Sequence, residues 1–192
     1  MYPGSLTIST DAFVALYLDV LHSLKDNGMR RVFLYSGHLG GRHLKAVARI
    51  TEEANRKIDG IKVYALMDSD RMDSLGLKPG PALLPLVRRL DFNNIVIGRL
   101  SRSREMAPAS HADGWETSIM LYFYPELVRK TYQQVPDAPA SAFFNAGRTG
   151  DRTRNPSGIG GFPVTRASAA TGKVIADYLT QLIGDSIISA LK

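Results

Sequence analysis

The residues Arg31-Val-Phe-Leu-Tyr35 are followed at once by Ser36-Gly-His-Leu-Gly-Gly41, and the fold of this chain can be inferred outward from them. A short run with a continuous apolar centre is typical of a buried parallel strand, and the glycine-rich segment after it indicates a tight loop. A helical pattern from about His43 to Asn55 and a second apolar run from Ile61 to Met67 come next. Strand, helix and strand in this order predict one βαβ unit over residues 31–67, with its two strands parallel.

Helical and extended patterns continue on both sides of this unit. The spacing of apolar residues and the glycines and prolines predict a helix over Asp11–Asn27, a loop over Asp68–Pro85, a strand over Asn94–Ile97, a helix over Glu116–Tyr124, a long loop over residues 133–163 and a helix over Ala169–Leu191. In the first helix, the residues predicted to form the apolar stripe are Phe13, Leu16, Tyr17, Val20, Leu21 and Leu24. The alternation of helices and strands predicts a single α/β domain over residues 1–192, a three-layer α/β/α sandwich with a mainly parallel sheet.

The composition is that of an ordinary globular protein. Of the 192 residues 44% are hydrophobic and 22% are charged, and no apolar run reaches the roughly 18 residues that a membrane helix needs. The first residues lack the basic and apolar regions of a signal peptide, so we expect a cytoplasmic protein with no membrane partner. The chain has no cysteine and four histidines, so a metal ion would have to be held by histidine, aspartate and glutamate side chains.

The net charge of +6, with a sequence pI near 9.6, raises the question of a nucleic-acid partner. The arginines cluster at Arg88-Arg89, at residues 99–104 and at residues 148–154, and the acidic residues close to these clusters are Asp91, Glu105 and Asp151. Stacking on a single strand would require aromatic residues between the basic ones, and none is interleaved. We interpret the clusters as solvated loops and expect no nucleic-acid partner; salt-dependent binding of nucleic acid or another anion is the alternative.

The loop over Ser36–Gly41 is the first candidate for chemistry. It follows the carboxyl end of a predicted strand, which is where open α/β sheets bind their ligands. Three glycines, Gly37, Gly40 and Gly41, would let the backbone adopt positive φ and let a ligand approach closely. His38 would then offer its imidazole to a metal ion. A tight turn whose histidine caps the next helix explains the same residues, as does a loop that binds phosphate, although the spacing fits neither common nucleotide-binding glycine pattern.

The segment His111-Ala-Asp-Gly-Trp-Glu-Thr-Ser118 is the second candidate. It is not the His-Glu-x-x-His zinc helix, because it holds one histidine. Residues five apart, as His111 and Glu116 are, point about 140° apart on one helix. Their side chains can therefore converge only if His111 lies in the loop before the helix. A capping box formed by Asp113 and Glu116 explains the same spacing without any chemistry.

A third feature is Gly160-Gly-Phe-Pro163, followed by Ala167-Ser-Ala-Ala-Thr-Gly172, and by itself it indicates only a loop and the start of a helix. Taken together and in this order, the three features resemble the creatininase (creatinine amidohydrolase) family. The family's Asn-Gly-His-Gly-Gly-Asn loop corresponds to residues 36–41 of this chain. Its His-Ala-Gly-x-x-Glu-Thr-Ser segment corresponds to residues 111–118.

The resemblance implies a creatininase-like α/β/α fold and a metal-dependent hydrolase that cleaves the C–N bond of a small cyclic amide or formamide. By position, His38 and Glu116 would be metal ligands, and His111 would be the acid/base that moves the proton of the attacking water or the leaving nitrogen. The residues implied to bind the substrate are Gly37, Gly40, Gly41 and Trp115. Zinc is the expected metal, with manganese or iron as alternatives, and relatives tend to form homo-oligomers.

Two of the chain's departures from the family pattern bear on its metal ligands and its substrate. Family members carry an upstream segment with a Glu-x-His pair and a later aspartate, which supply most of the metal ligands; we expect this chain to be truncated at its N-terminus and to lack that segment. Creatininases proper carry a glutamate two residues after the loop histidine, where this chain has Gly40, so creatinine is not the expected substrate. The alternative to an active hydrolase is a non-catalytic remnant, or a subunit of a split enzyme, that acts as an oligomerising interaction protein.

Overall fold

The computed structural model describes residues 6–86, 111–136 and 156–192 of the chain. The helices and strands described there are, in chain order, α1 (Thr10–Asp26), β1 (Arg31–Tyr35), α2 (Gly41–Lys57), β2 (Lys62–Asp68), α3 (Ser69–Leu75), β3 (Leu83–Leu86), α4 (Gly114–Phe123) and α5 (Ala169–Ala190). The chain divides into two compact units. In the first, the sheet unit, the described residues are 6–86 and 182–192; in the second, the helical unit, they are 111–136 and 156–181.

The sheet unit is built around three parallel strands in the order β1-β2-β3. The pairs along β1 and β2 run from Arg31 opposite Lys62 to Tyr35 opposite Leu66. β3 pairs with the carboxyl half of β2, ending with Asp68 opposite Leu86. The predicted βαβ unit is therefore confirmed, with α2 as the crossover helix between two parallel strands. This arrangement brings the carboxyl ends of the strands, and the loops that follow them, to one edge of the sheet.

Helices line both faces of this sheet. On one face, alternate residues of β2 pack against α2, because successive side chains of a strand point to opposite faces; Val63 and Ala65 are fully buried there, and Leu83 of β3 joins them. Leu84, the next residue of β3, faces the other way and lines a cavity together with Leu182 and Ser186 from the last turns of α5. The predicted α/β fold with helices on two sides of a parallel sheet is confirmed for this unit.

The first helix begins and ends as its sequence dictates, and half of its predicted stripe packs in or against the core, namely Phe13, Leu21 and Leu24. Ser9 caps the helix by accepting a hydrogen bond from the amide of Ala12 at 3.1 Å, and Gly28 follows the helix with a φ of 91°. The buried residues are Val14 and Leu21. By contrast, the exposed members of the predicted stripe are Leu16, Tyr17 and Val20. The helix has apolar residues around most of its circumference, so periodicity alone does not identify the side that faces the core.

The prediction of a loop over Asp68–Pro85 was wrong, because this stretch contains α3 and β3. The carboxylate of Asp68 caps α3 by accepting a hydrogen bond from the amide of Arg71 at 2.8 Å, and Gly76 ends the helix with a φ of 69°. Pro85 lies within β3, at the edge of the described sheet, where a strand tolerates a residue that cannot donate a hydrogen bond. The glycines and prolines here mark boundaries of short elements rather than an irregular segment.

The helical unit contains α4, the first part of α5 and short 3₁₀ turns between them. Both helices were predicted, and α4 ends directly before Pro125. Gly172 in α5 lies against the backbone of α4: a Cβ at this position would be 1.9 Å from the carbonyl oxygen of Ser118. The strand predicted over Asn94–Ile97 and the centre of the loop predicted over residues 133–163 lie outside the described residues, so both stay predictions.

Whether the two units form the single predicted domain also stays a prediction. Within the described ranges, no helix is both long and apolar enough to cross a membrane.

Candidate functional site

The first candidate loop connects β1 to α2 and is held together by Ser36. The Ser36 hydroxyl oxygen accepts a hydrogen bond from the backbone amide of His38 at 3.1 Å. The same oxygen lies 2.9 Å from Nε2 of His43, in the first turn of α2. One hydroxyl therefore connects the loop that carries His38 to the helix that follows it.

The His38 ring is exposed, and it lies between Gly40 and His43. Its plane meets that of His43 edge to face, with ring centroids 5.2 Å apart. A Cβ at Gly40 would be 2.4 Å from Nε2 of His38, so only glycine leaves room for this ring position. The loop thus presents an imidazole to solvent at the carboxyl edge of the sheet.

The reason predicted for the loop glycines was partly wrong. None of the three loop glycines, Gly37, Gly40 and Gly41, has a positive φ, although other glycines of the chain do. Gly41 allows a close approach, because a Cβ there would be 2.8 Å from the side chain of Leu75, whereas a Cβ at Gly37 would meet nothing within 4 Å. The neighbours that require glycine at positions 40 and 41 are therefore this chain's own side chains.

The structure adds polar residues that the sequence analysis did not select at this edge. The pKa of His43 is lowered, mainly by partial burial and to a smaller extent by the charge of His38. The pKa of the Tyr35 hydroxyl is raised, mainly by partial burial and to a smaller extent by the nearby Asp68 carboxylate. Arg71 donates a hydrogen bond from Nε to the carbonyl of Leu39 at 3.1 Å. Position in the sequence could have indicated both: His43 lies two residues after the glycine loop, and Asp68 ends the neighbouring parallel strand.

The second candidate segment runs from the loop before α4 into the helix, and His111 lies in that loop, which is the position that convergence with Glu116 would require. His111 exchanges two backbone hydrogen bonds with Gly160, of 2.9 and 3.0 Å. Ala112 then takes a φ of 49°, which is rare for a residue with a side chain, and it turns the chain into α4. The His111 side chain is exposed.

The capping box predicted as an alternative is only half present. Asp113 is the N-cap of α4, and its carboxylate accepts a hydrogen bond from the amide of Trp115 at 2.8 Å. Glu116 lies in the first turn with its side chain exposed, and within the described residues it makes no hydrogen bond to the amide of Asp113. Trp115 is 3% exposed, so its indole belongs to the interior of the helical unit. Capping therefore explains Asp113 but not Glu116.

The third sequence feature packs against the second. The amide of Gly114 donates to the carbonyl of Phe162 at 2.8 Å, and the amide of Ser168 donates to the Ser118 hydroxyl at 3.1 Å. Comparison with protein-family models matches residues 1–187 to one model, Creatininase, described as creatinine amidohydrolase. The chain belongs to the creatininase family.

Solved creatininase structures share the fold. A zinc–zinc form of a creatininase variant with glutamate replaced by glutamine is 23% identical, with a TM-score of 0.63. A crystal structure of creatinine amidohydrolase is 21% identical, with a TM-score of 0.58. Both matches cover 97% of this chain and 66% of the solved chain, so the chain spans just under two thirds of the length of these creatininases. At such identities the likeness shows the fold alone. No curated protein sequence matches the chain significantly.

The described residues do not by themselves provide a creatininase metal site. His38 belongs to the sheet unit, and His111 and Glu116 belong to the helical unit. Across residues 6–86, 111–136 and 156–192 there is no group of three or more histidine, cysteine, aspartate or glutamate side chains that could hold a metal ion. A zinc centre needs three or four protein ligands. The three arginine clusters considered for nucleic-acid binding lie outside the described residues.

Proposed function

We propose that this member of the creatininase family is a metal-dependent amidohydrolase that cleaves the C–N bond of a small cyclic amide or formamide. One observation carries the proposal: an exposed histidine and an exposed carboxylate, His111 and Glu116, flank the N-terminus of α4 in the segment that corresponds to the family's His-Ala-Gly-x-x-Glu-Thr-Ser motif. Both side chains are accessible, and structural capping accounts for neither of them.

His111 is the proposed acid/base. Histidine has an ordinary pKa near neutrality, so its imidazole can take a proton from the attacking water and return it to the leaving nitrogen. The backbone pair with Gly160 fixes the segment that carries this ring. Glu116 lies in the first turn of α4 with its side chain exposed.

His38 and Glu116 are the proposed metal ligands, and a bound metal would polarise the amide carbonyl and activate water. Further ligands would have to come from outside the described residues. Zinc is the first expectation, supported by the zinc–zinc form of a similar structure. Manganese and iron are the alternatives.

The proposal also assigns substrate contacts, location and assembly. The proposed substrate contacts are Gly37, Gly40, Gly41 and Trp115. Because Trp115 is buried, we assign it to the wall beneath the substrate rather than to an open surface. Glycine at position 40 supports a substrate other than creatinine. A cytoplasmic location and a homo-oligomeric assembly complete the proposal.

The test is a hydrolysis assay in which Zn²⁺, Mn²⁺ or Fe²⁺ is added back to the metal-depleted chain. The substrates are small amides, including succinimide, hydantoin, creatinine and formanilide, and NMR monitors their hydrolysis. We expect turnover with at least one metal, and a loss of about 100-fold or more in kcat for His111→Ala. His22→Ala is the matched control, because His22 is an exposed histidine of α1 without a proposed role. No turnover with any metal, or an equal loss in the control variant, contradicts the proposal.

A second candidate is a non-catalytic interaction protein, and the absence of a three-ligand group among the described residues favours it. A ligand that binds the native state raises the melting temperature. This candidate predicts no shift on addition of Zn²⁺ or Mn²⁺, together with self-association in analytical ultracentrifugation. The hydrolase proposal predicts instead a shift that His38→Ala and Glu116→Gln reduce and that His22→Ala retains.

A further inference from the structure

Asp113 does more in this structure than cap a helix. Its side chain is 1% exposed, and its two carboxylate oxygens accept from two separate segments. Oδ1 accepts from the amide of Trp115 at 2.8 Å, which is the capping bond, and Oδ2 accepts from the amide of Phe162 at 3.3 Å. Serine or threonine would be sufficient for the cap alone. Burying a carboxylate is costly unless its oxygens are hydrogen-bonded. A buried aspartate at this position therefore indicates that its second hydrogen bond, to Phe162, has a role beyond capping.

The second contact lies next to the proposed catalytic histidine. His111 and Gly160 pair through two backbone hydrogen bonds, and the bond from Gly114 to Phe162 lies on the other side of Asp113. Between them Ala112 has a φ of 49°. A side chain-bearing residue keeps such a conformation only where its surroundings enforce it. The carboxylate of Asp113 is placed to enforce it, because it bonds to both segments at once.

We propose that Asp113 is a positioning residue: its carboxylate clamps Gly160–Phe162 onto the start of α4 and thereby fixes the backbone that carries His111. The catalytic part of this inference rests on the proposed function, whereas the clamp rests on geometry alone. The family motif has glycine where this chain has Asp113, so the clamp is a device of this chain rather than a constant of the fold.

Native-state hydrogen exchange followed by NMR tests the clamp in the whole chain. Asp113→Ser keeps an oxygen for the cap but is too short to reach Phe162. We expect the amides of His111, Gly160 and Phe162 to exchange about tenfold faster or more, while the amide of Trp115 stays protected.

Ser168→Ala is the control for the exchange experiment. It removes the N-cap of α5, where Ser168 accepts from the amide of Thr171 at 3.1 Å in the same unit, and it should leave exchange of the three amides at wild-type rates. Unchanged exchange at His111 and Gly160 in Asp113→Ser overturns the proposal. Equal acceleration in Ser168→Ala also overturns it, because general destabilisation would then explain the effect.

The kinetic measurement separates positioning from fold support. On any amide that the wild-type protein hydrolyses, Asp113→Ser should lower kcat by about tenfold or more and leave KM within about twofold, because a displaced acid/base weakens the transition state rather than substrate binding. Ser168→Ala should keep both constants. A raised KM with unchanged kcat contradicts the positioning role. If the wild-type protein hydrolyses none of the amides, the proposed function is contradicted. The hydrogen-exchange experiment still shows whether Asp113 holds the segment Gly160–Phe162 against the start of α4.

Discussion

The two imidazoles of the candidate site are fixed differently: the ring of His38 lies among residues close to it in sequence, whereas the backbone of His111 is held by residues far along the chain. Ser36 contacts positions two and seven residues away. The carboxylate of Asp113, in contrast, bonds to an amide 49 residues later. Both arrangements present an exposed imidazole. The first loop has a distant contact at Leu39, whose carbonyl accepts from Arg71, but in the second the histidine itself pairs through its backbone with a distant residue, Gly160. We therefore expect the two regions to respond differently to the same kind of substitution.

The largest expected effect is that of Gly114→Ala in the region held by distant contacts. A Cβ at Gly114 would lie 2.5 Å from both a ring carbon of Phe162 and the carbonyl oxygen of Pro163. Since one of these atoms belongs to the backbone, the 160–163 segment has to move, and we expect a loss of about 3 kcal/mol in the free energy of unfolding. Fluorescence of Trp115, the single tryptophan of the sequence, reports unfolding of this unit in guanidinium chloride.

Gly184→Ala is the control for that substitution. It places the same methyl group in the part of α5 that belongs to the sheet unit, where a Cβ would meet nothing within 4 Å, so its unfolding is followed by circular dichroism. Alanine is the better helix former, so this variant should gain about 1 kcal/mol. A wild-type unfolding midpoint for Gly114→Ala would show that the 160–163 segment does not press on the start of α4.

The same contrast explains what could be predicted from the sequence. Strand β1, helix α2 and strand β2 followed from apolar periodicity, because each is specified by neighbours within a few residues. The position of His111 before α4 followed from helix geometry. The pairing of His111 with Gly160 and the contact of Asp113 with Phe162 were not predictable, because no local pattern encodes which distant segment returns to a helix N-terminus.

Two misses have local physical causes. Helix α3 has only seven residues, too few to show a period, and the glycines and prolines that follow it, beginning with Gly76, are typical of a loop. His43 was not selected because its contact with Ser36 depends on the angle at which α2 leaves the loop. That angle follows from packing against the sheet, which periodicity does not describe.

A smaller effect is expected for Gly40→Ala in the region held by local contacts. The added Cβ would meet the far end of the His38 side chain, which can rotate away, and alanine is a poorer N-cap than glycine for α2. We expect a loss of about 1 kcal/mol or less, together with shifted ring signals of His38 and His43 in ¹H–¹³C NMR spectra. Gly37→Ala, where a Cβ would meet nothing, should change neither quantity. Unmoved His38 signals in Gly40→Ala would contradict the ring position described above.

The smallest expected effect concerns the surface charges of α2, which belong to neither candidate loop. Hydrogen bonds from Lys57, and then from Arg49, lower the pKa of Glu53 to about 2, and Arg49 also reaches Asp11 of α1 at 2.6 Å. Because the folded pKa of Glu53 lies below the unfolded value of about 4.5, the contribution of its ion pairs to stability is present above pH 4.5 and is lost as the pH falls from there towards 2.

Glu53→Gln should therefore flatten the acid limb of the stability curve, which is the fall in the free energy of unfolding at low pH, measured by circular dichroism in urea. The difference from wild type should shrink in 0.5 M salt, because solvent-exposed pairs are screened. An acid limb that is identical in both proteins would mean that the pairs of Glu53 within α2 do not contribute to stability.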